Sequence, residues 1–138
     1  MIALDTNVLA RFYIAETDAE AAKQHKVAAR LMEQPALFVA RTVVLELEWV
    51  LRGGYGYERE DVARVLDHLL GLPNVAVENR EIVEGALNHY HEGLDFADAL
   101  HLAAAKSAQA FATFDSKFTK RAERLGLQPV VVPPPKAV

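Results

Sequence analysis

The feature that most constrains this chain is an alternation of short apolar runs with longer stretches of helical spacing. Ile2 to Leu4, Leu37 to Val39, Val75 to Val77, Ala110 to Thr113 and Val130 to Val132 read as strands. Helical patterns begin after the first of these, with Val8, Leu9 and Phe12. They continue as Ala19 to Met32, Thr42 to Arg52, Asp61 to Leu70, Ile82 to His91, Asp95 to Ser107 and Ser116 to Leu125. Glycines and prolines punctuate them: Pro35, the cluster Gly53, Gly54 and Gly56, then Gly71 with Pro73, and Gly93. A strand that leads into a helix and then into another strand predicts an α/β fold, with a mostly parallel sheet covered by helices. The first run, Ile2 to Leu4, reads as the end of a buried strand.

The 138 residues suit one domain with one core, over residues 1–132, followed by a proline-rich tail at 133–138. Fifteen basic residues against nineteen acidic ones give a net charge of -4, so nucleic acid must be held by a local patch and not by the overall field. The absence of cysteine excludes disulfides, thiolate-bound zinc and cysteine nucleophiles, and suits a cytoplasmic setting. The amino terminus enters a strand without a basic leader, so no signal peptide is expected, and no apolar run approaches the ~20 residues that span a bilayer.

Carboxylates carry the chemistry. Asp5 stands where the first strand gives way to a helix, and Asp115 repeats that situation after the fourth. Such junctions at the carboxyl ends of strands are where ligands gather in open α/β sheets. Both residues are also natural helix N-caps, and the roles are compatible, because a capping carboxylate keeps one oxygen free. In the helix of Thr42 to Arg52, Glu48 has Arg52 four residues on and is explained as a surface ion pair. Glu46 has only Thr42, Val43, Trp49 and Val50 at helical distances, so either a more distant group pairs with it or it reaches solvent at the edge of the apolar face. Asp95 suits the cap of the following helix, with Asp98 three residues on. Alanines at 97, 99, 103, 104 and 105 permit that helix a close approach to its neighbours.

If Asp5, Glu46, Asp98 and Asp115 come within about 6 Å of one another, each ionised pair repels by roughly 3 kcal/mol at an effective dielectric of about 20. A hard divalent cation relieves that repulsion. All-oxygen ligands favour Mg2+ or Mn2+ over zinc. Zinc has little support, with no His-x-x-x-His pair and with His89 and His91 spaced for a solvated helix face.

These segments resemble a known family. The opening LDTNVL, the VVLELEWVL segment around Glu46, DFADALHLAAA around Asp98 and FATFDSKF around Asp115 resemble PIN-domain ribonucleases of the VapC toxin type, in matching order over nearly the whole chain. The resemblance implies a three-layer sandwich and metal-dependent hydrolysis of RNA. It implies an acidic pocket of Asp5, Glu46, Asp98 and Asp115 that binds Mg2+ or Mn2+, with Asn7 and Thr113 as accessory polar residues. It also implies a homodimer and a cognate VapB-like antitoxin whose tail covers the pocket. No acidic position of the pattern is missing.

Other features bear on partners. Lys117, Lys120, Arg121 and Arg124 form a basic stripe just beyond Asp115, opposite an apolar stripe of Phe118, Ala122 and Leu125. The stripe is either a phosphate contact or an ordinary solvated face. Gly53, Gly54 and Gly56, interleaved with Tyr55 and Tyr57, lack the Gly-Lys-Ser/Thr of a phosphate loop and read as a helix stop. Trp49 and Leu51 read as core or interface. Two rivals remain: a phosphatase using Asp5 as covalent nucleophile, disfavoured because Asn7 stands where its second acid belongs, and a catalytically inactive PIN-like regulatory or RNA-binding module.

Overall fold

Each strand in this protein is short, because the chain leaves the sheet almost as soon as its apolar residues are paired. The computed structural model describes residues 1–14 and 18–135; the end of the expected tail, 136–138, lies outside the described residues. The chain divides into two compact units, Met1–Arg80 and a second from Glu81 onward.

The first unit contains β1 (Ile2–Ala3), α1 (Thr6–Tyr13), α2 (Ala19–Leu31), β2 (Leu37–Val39), α3 (Arg41–Trp49), α4 (Arg59–Gly71) and β3 (Val75–Val77). Its strands form a parallel sheet of order β1-β2-β3, with Ile2 opposite Leu37, and Leu37 opposite Val75. Leu37, Val39, Val75 and Val77 are buried while Phe38 is half-buried and Ala76 exposed, the two-residue period of a strand covered more heavily on one face. Leu9, Val44, Leu47, Leu51, Val62, Leu66 and Leu69 complete this core from the helices.

The second unit carries α5 (Arg80–His91, starting at the boundary), α6 (Phe96–Ala104), β4 (Ala110–Ala112), α7 (Ser116–Leu125) and β5 (Val130–Val132). β4 and β5 are parallel, with Ala110 opposite Val130. Phe96 is fully buried and meets Tyr90 edge-on at 5.5 Å between ring centres; Phe111 and Phe118 pack at 5.7 Å. Parallel strands with seven α-helices among the described residues give the expected α/β fold. No helix among the described residues is long and apolar enough to cross a membrane.

Five local expectations change. Ile2 and Ala3 are exposed rather than buried: the strand is paired to β2 but its side chains are left uncovered, and burial starts at Leu4. The helix expected over Thr42 to Arg52 does not stop cleanly at the glycines: α3 widens into a π-helical turn over Val50–Gly54, closed by the Tyr55 N–H on the Val50 carbonyl at 3.1 Å. α6 ends at Ala104 instead of Ser107. Beyond Leu102 no fully buried side chain anchors a further turn, and a helix end that packs against nothing gains little from alanine propensity alone. Glu48, expected at the surface, is 2% exposed, and Arg52 bonds it at 2.6 Å. The partner was legible in the four-residue spacing, whereas the burial depends on what packs above α3. Trp49 is not core; it is 61% exposed.

Candidate active site

In the first unit the site is built where β1 hands over to α1. Asp5 has extended backbone and caps α1, its Oδ1 accepting the Thr6 N–H at 2.8 Å. The carboxylate is therefore oriented by the helix start, and its second oxygen takes no bond from a described residue. Thr6, the next residue, is buried, and its hydroxyl donates to Oε1 of Glu46 on α3. Glu46 thus has the distant partner that its helical neighbours could not supply, and it is itself exposed toward solvent. α3 is positioned in turn by Glu78, just past β3, whose Oε1 accepts the Arg41 N–H at 2.9 Å; Ala40, at the cap position, offers no side-chain acceptor. Asp5, Thr6, Asn7, Arg11, Glu46 and Tyr55 line one open cleft of about 450 Å³.

In the second unit Asp95 caps α6 by accepting the Asp98 N–H at 3.1 Å, as its sequence position predicts. Asp98 is half-buried. Burial raises its carboxyl above the usual carboxylate range, and the charges of Asp95 and Asp115 raise it further, while His101 pulls it down. Asp98 and Asp115 are therefore close enough to repel. Asp115 caps α7, its Oδ1 taking the Lys117 and Phe118 N–H groups at 3.0 and 3.1 Å. The Thr113 hydroxyl oxygen accepts the Asp115 N–H at 3.1 Å, which fixes the turn that presents this carboxylate. On α7, Lys117, Lys120, Arg121 and Arg124 are exposed, Phe118 and Ala122 buried and Leu125 half-buried. Arg121 donates to the Gly93 carbonyl and so braces the loop before α6.

Each unit thus brings two of the four sequence-selected acids together, Asp5 with Glu46 and Asp98 with Asp115. Among the described residues no group of three or more His, Cys, Asp or Glu side chains is gathered as a ready metal cage. His91 is exposed and His89 half-exposed, pairing with Glu92 at 2.9 Å, as a solvated helix face requires. Sequence reasoning missed Thr6, Arg11 and Tyr55. A hydroxyl directly after a candidate ligand was a readable signal for Thr6; Arg11 and Tyr55 had none, because their place depends on how α1 and the π-helical turn meet.

The family model of the PIN domain matches residues 2–124, which includes all four acids, Asn7 and Thr113. The chain belongs to the PIN domain family. The PIN domain is generally a nuclease fold whose members usually use divalent metal ions and typically bind RNA. No curated protein matches the chain. Within this PIN domain, each pair of acids has one carboxylate at a helix N-cap, Asp5 and Asp115, and a second carboxylate on a different helix, Glu46 and Asp98.

Proposed function

We propose that this PIN domain is an Mg2+- or Mn2+-dependent endoribonuclease and the toxin of a toxin–antitoxin pair, acting in the cytoplasm. One observation carries the reading: Asp5 and Glu46, adjacent through Thr6, line a single open cleft with carboxylate oxygens left over after capping and hydroxyl binding. The donors fit the ion. They are all hard oxygens; burial raises Asp98 first and the charges of Asp95 and Asp115 add to it, and that added repulsion is what a divalent cation relieves. In this proposal Asp5, Glu46, Asp98 and Asp115 hold the metal, with Asn7 and Thr113 as accessory groups and residues 1–132 working as one nuclease domain. A divalent cation bound there supplies Lewis-acid activation of water and of the phosphodiester.

The chain's own residues do the positioning. Helix caps fix Asp5 and Asp115, and Thr6 fixes Glu46, so the ligand oxygens are arranged before substrate arrives. Lys117, Lys120 and Arg124 supply exposed positive charge for RNA phosphates on an otherwise acidic protein, while Arg121 is partly committed to Gly93. The toxin role, a VapB-like antitoxin over the pocket and a homodimer rest on the motif resemblance around Asp5, Glu46, Asp98 and Asp115.

Purified protein should cut single-stranded RNA internally when magnesium or manganese is added and stop when the ion is chelated. RNA that stays intact with both ions rejects the enzyme reading. Thr6 gives a finer check. Thr6→Val keeps the side chain's shape and removes the hydroxyl that orients Glu46, so manganese affinity by calorimetry should fall about 10- to 100-fold, with cleavage falling in parallel. Thr6→Ser should restore both; equal affinities for all three proteins would remove Thr6 from the site.

A further inference from the structure

The π-helical turn after α3 has a consequence for substrate binding. An α-helix continued through residues 50–55 would place Tyr55 about 140° around the axis from Val50. The wider turn, closed by the Tyr55 N–H on the Val50 carbonyl, returns Tyr55 to the side that carries Val50 and, one turn earlier, Glu46; all three line the acidic cleft. Such insertions cost regular helix geometry and recur at functional sites. The next residues hold the arrangement: Gly56 takes φ +69°, open to glycine without strain, and the Tyr57 N–H bonds the Leu51 carbonyl at 2.9 Å. The Tyr55 backbone is thus fixed on both sides while its side chain stays 41% exposed at the cleft. Trp49, the larger exposed ring, lies against Gly53 and does not line the cleft.

We infer that Tyr55 is a nucleobase-stacking residue, which holds an unpaired base of single-stranded RNA beside the carboxylates of Asp5 and Glu46. The inference rests on the ribonuclease reading and deepens it. The cleft's volume lies in the range that accepts a ligand of nucleotide size. A flat ring at its edge, with Arg11 also in the lining, matches the combination of aromatic face and positive charge by which proteins hold single strands. Stacking is tolerant of base identity, so Tyr55 contributes affinity and placement of the strand more than choice of cut sequence.

The test uses the full chain and a short single-stranded RNA carrying 2-aminopurine, whose fluorescence is quenched when it stacks on an aromatic ring. Rapid mixing with the protein in manganese should show a quench before cleavage. Tyr55→Ala should lose the quench and bind this RNA on the order of tenfold to a hundredfold more weakly, the loss falling on KM more than on kcat. Tyr55→Phe, which keeps the ring, should retain quench and affinity, and circular dichroism should show Tyr55→Ala still folded, since the side chain is exposed. Cleavage by the unmodified protein, with Tyr55→Ala unchanged in quench and affinity, overturns the stacking role alone. Unmodified protein that neither binds nor cuts RNA overturns the ribonuclease reading and the stacking role with it. A Tyr55→Ala variant that binds RNA normally and loses only protein partners overturns the RNA assignment.

Discussion

Asp5→Asn should leave the protein folded and abolish RNA cleavage. Asparagine caps helices about as well as aspartate, so the bond from the Thr6 N–H to the side-chain oxygen survives and stability should change by no more than about 0.5 kcal/mol. The charge that would hold a divalent cation is removed, and the loss of activity should exceed the roughly 100-fold typical of groups that only support a metal ligand. Asp5→Ala should lose the same activity and, in addition, about 1 kcal/mol of stability through the missing cap. Urea unfolding and a manganese-dependent cleavage assay on the two variants separate the roles. If Asp5→Asn cleaves at the original rate, Asp5 is a cap and nothing more.

The second large effect concerns stability. Arg52→Met should destabilise the fold by about 3 kcal/mol, because it takes a charge-assisted partner from a carboxylate that is almost wholly buried. Methionine covers much of the same apolar surface as the arginine stem, so the loss reports mainly the missing Arg52 charge beside the buried Glu48 carboxylate. Replacing Glu48 by Met as well should recover most of the loss, since apolar substitutes for a buried ion pair are often neutral. The urea midpoint should fall by about 1–2 M in the single variant and return toward the original in the double one. A single variant as stable as the parent would show that the other interactions of Glu48 suffice for it.

The periodicities that made the helices legible were the strong ones. Ser116 to Leu125 stands where the sequence placed it, because its charges and its apolar residues separate cleanly around the axis and Asp115 caps it. The same pattern failed at the end of α6. A run of alanines states a helix propensity without saying whether anything lies above it to pack. The π-helical turn after Trp49 was invisible in the same way: glycines announce that a helix ends, but not that it first takes in an extra residue and turns Tyr55 back toward the cleft.

At the site, local chemistry was readable and neighbourhood was not. Asp5, Asp95 and Asp115 could be recognised as caps because capping is decided within three residues of sequence. Glu46 and Glu48 could be told apart by their helical neighbours, and Arg52 was correctly matched to Glu48. Which of the two glutamates is buried came out the other way from a surface reading, because Glu48 faces into the protein with its partner and Glu46 faces the cleft.

The sequence by itself determined the order of elements, the parallel α/β class and the PIN family pattern with the four acids that lie in it, since each is written in spacings of a few residues. Only the tertiary structure decided that the Thr6 hydroxyl holds Glu46, that Asp98 is half-buried and feels the charge of Asp115, and that a wide helical turn sets Tyr55 at the cleft. Thr6 and Glu46 are forty residues apart in the chain. Proximity at that separation is fixed by packing of whole helices, a long-range outcome that no local spacing encodes.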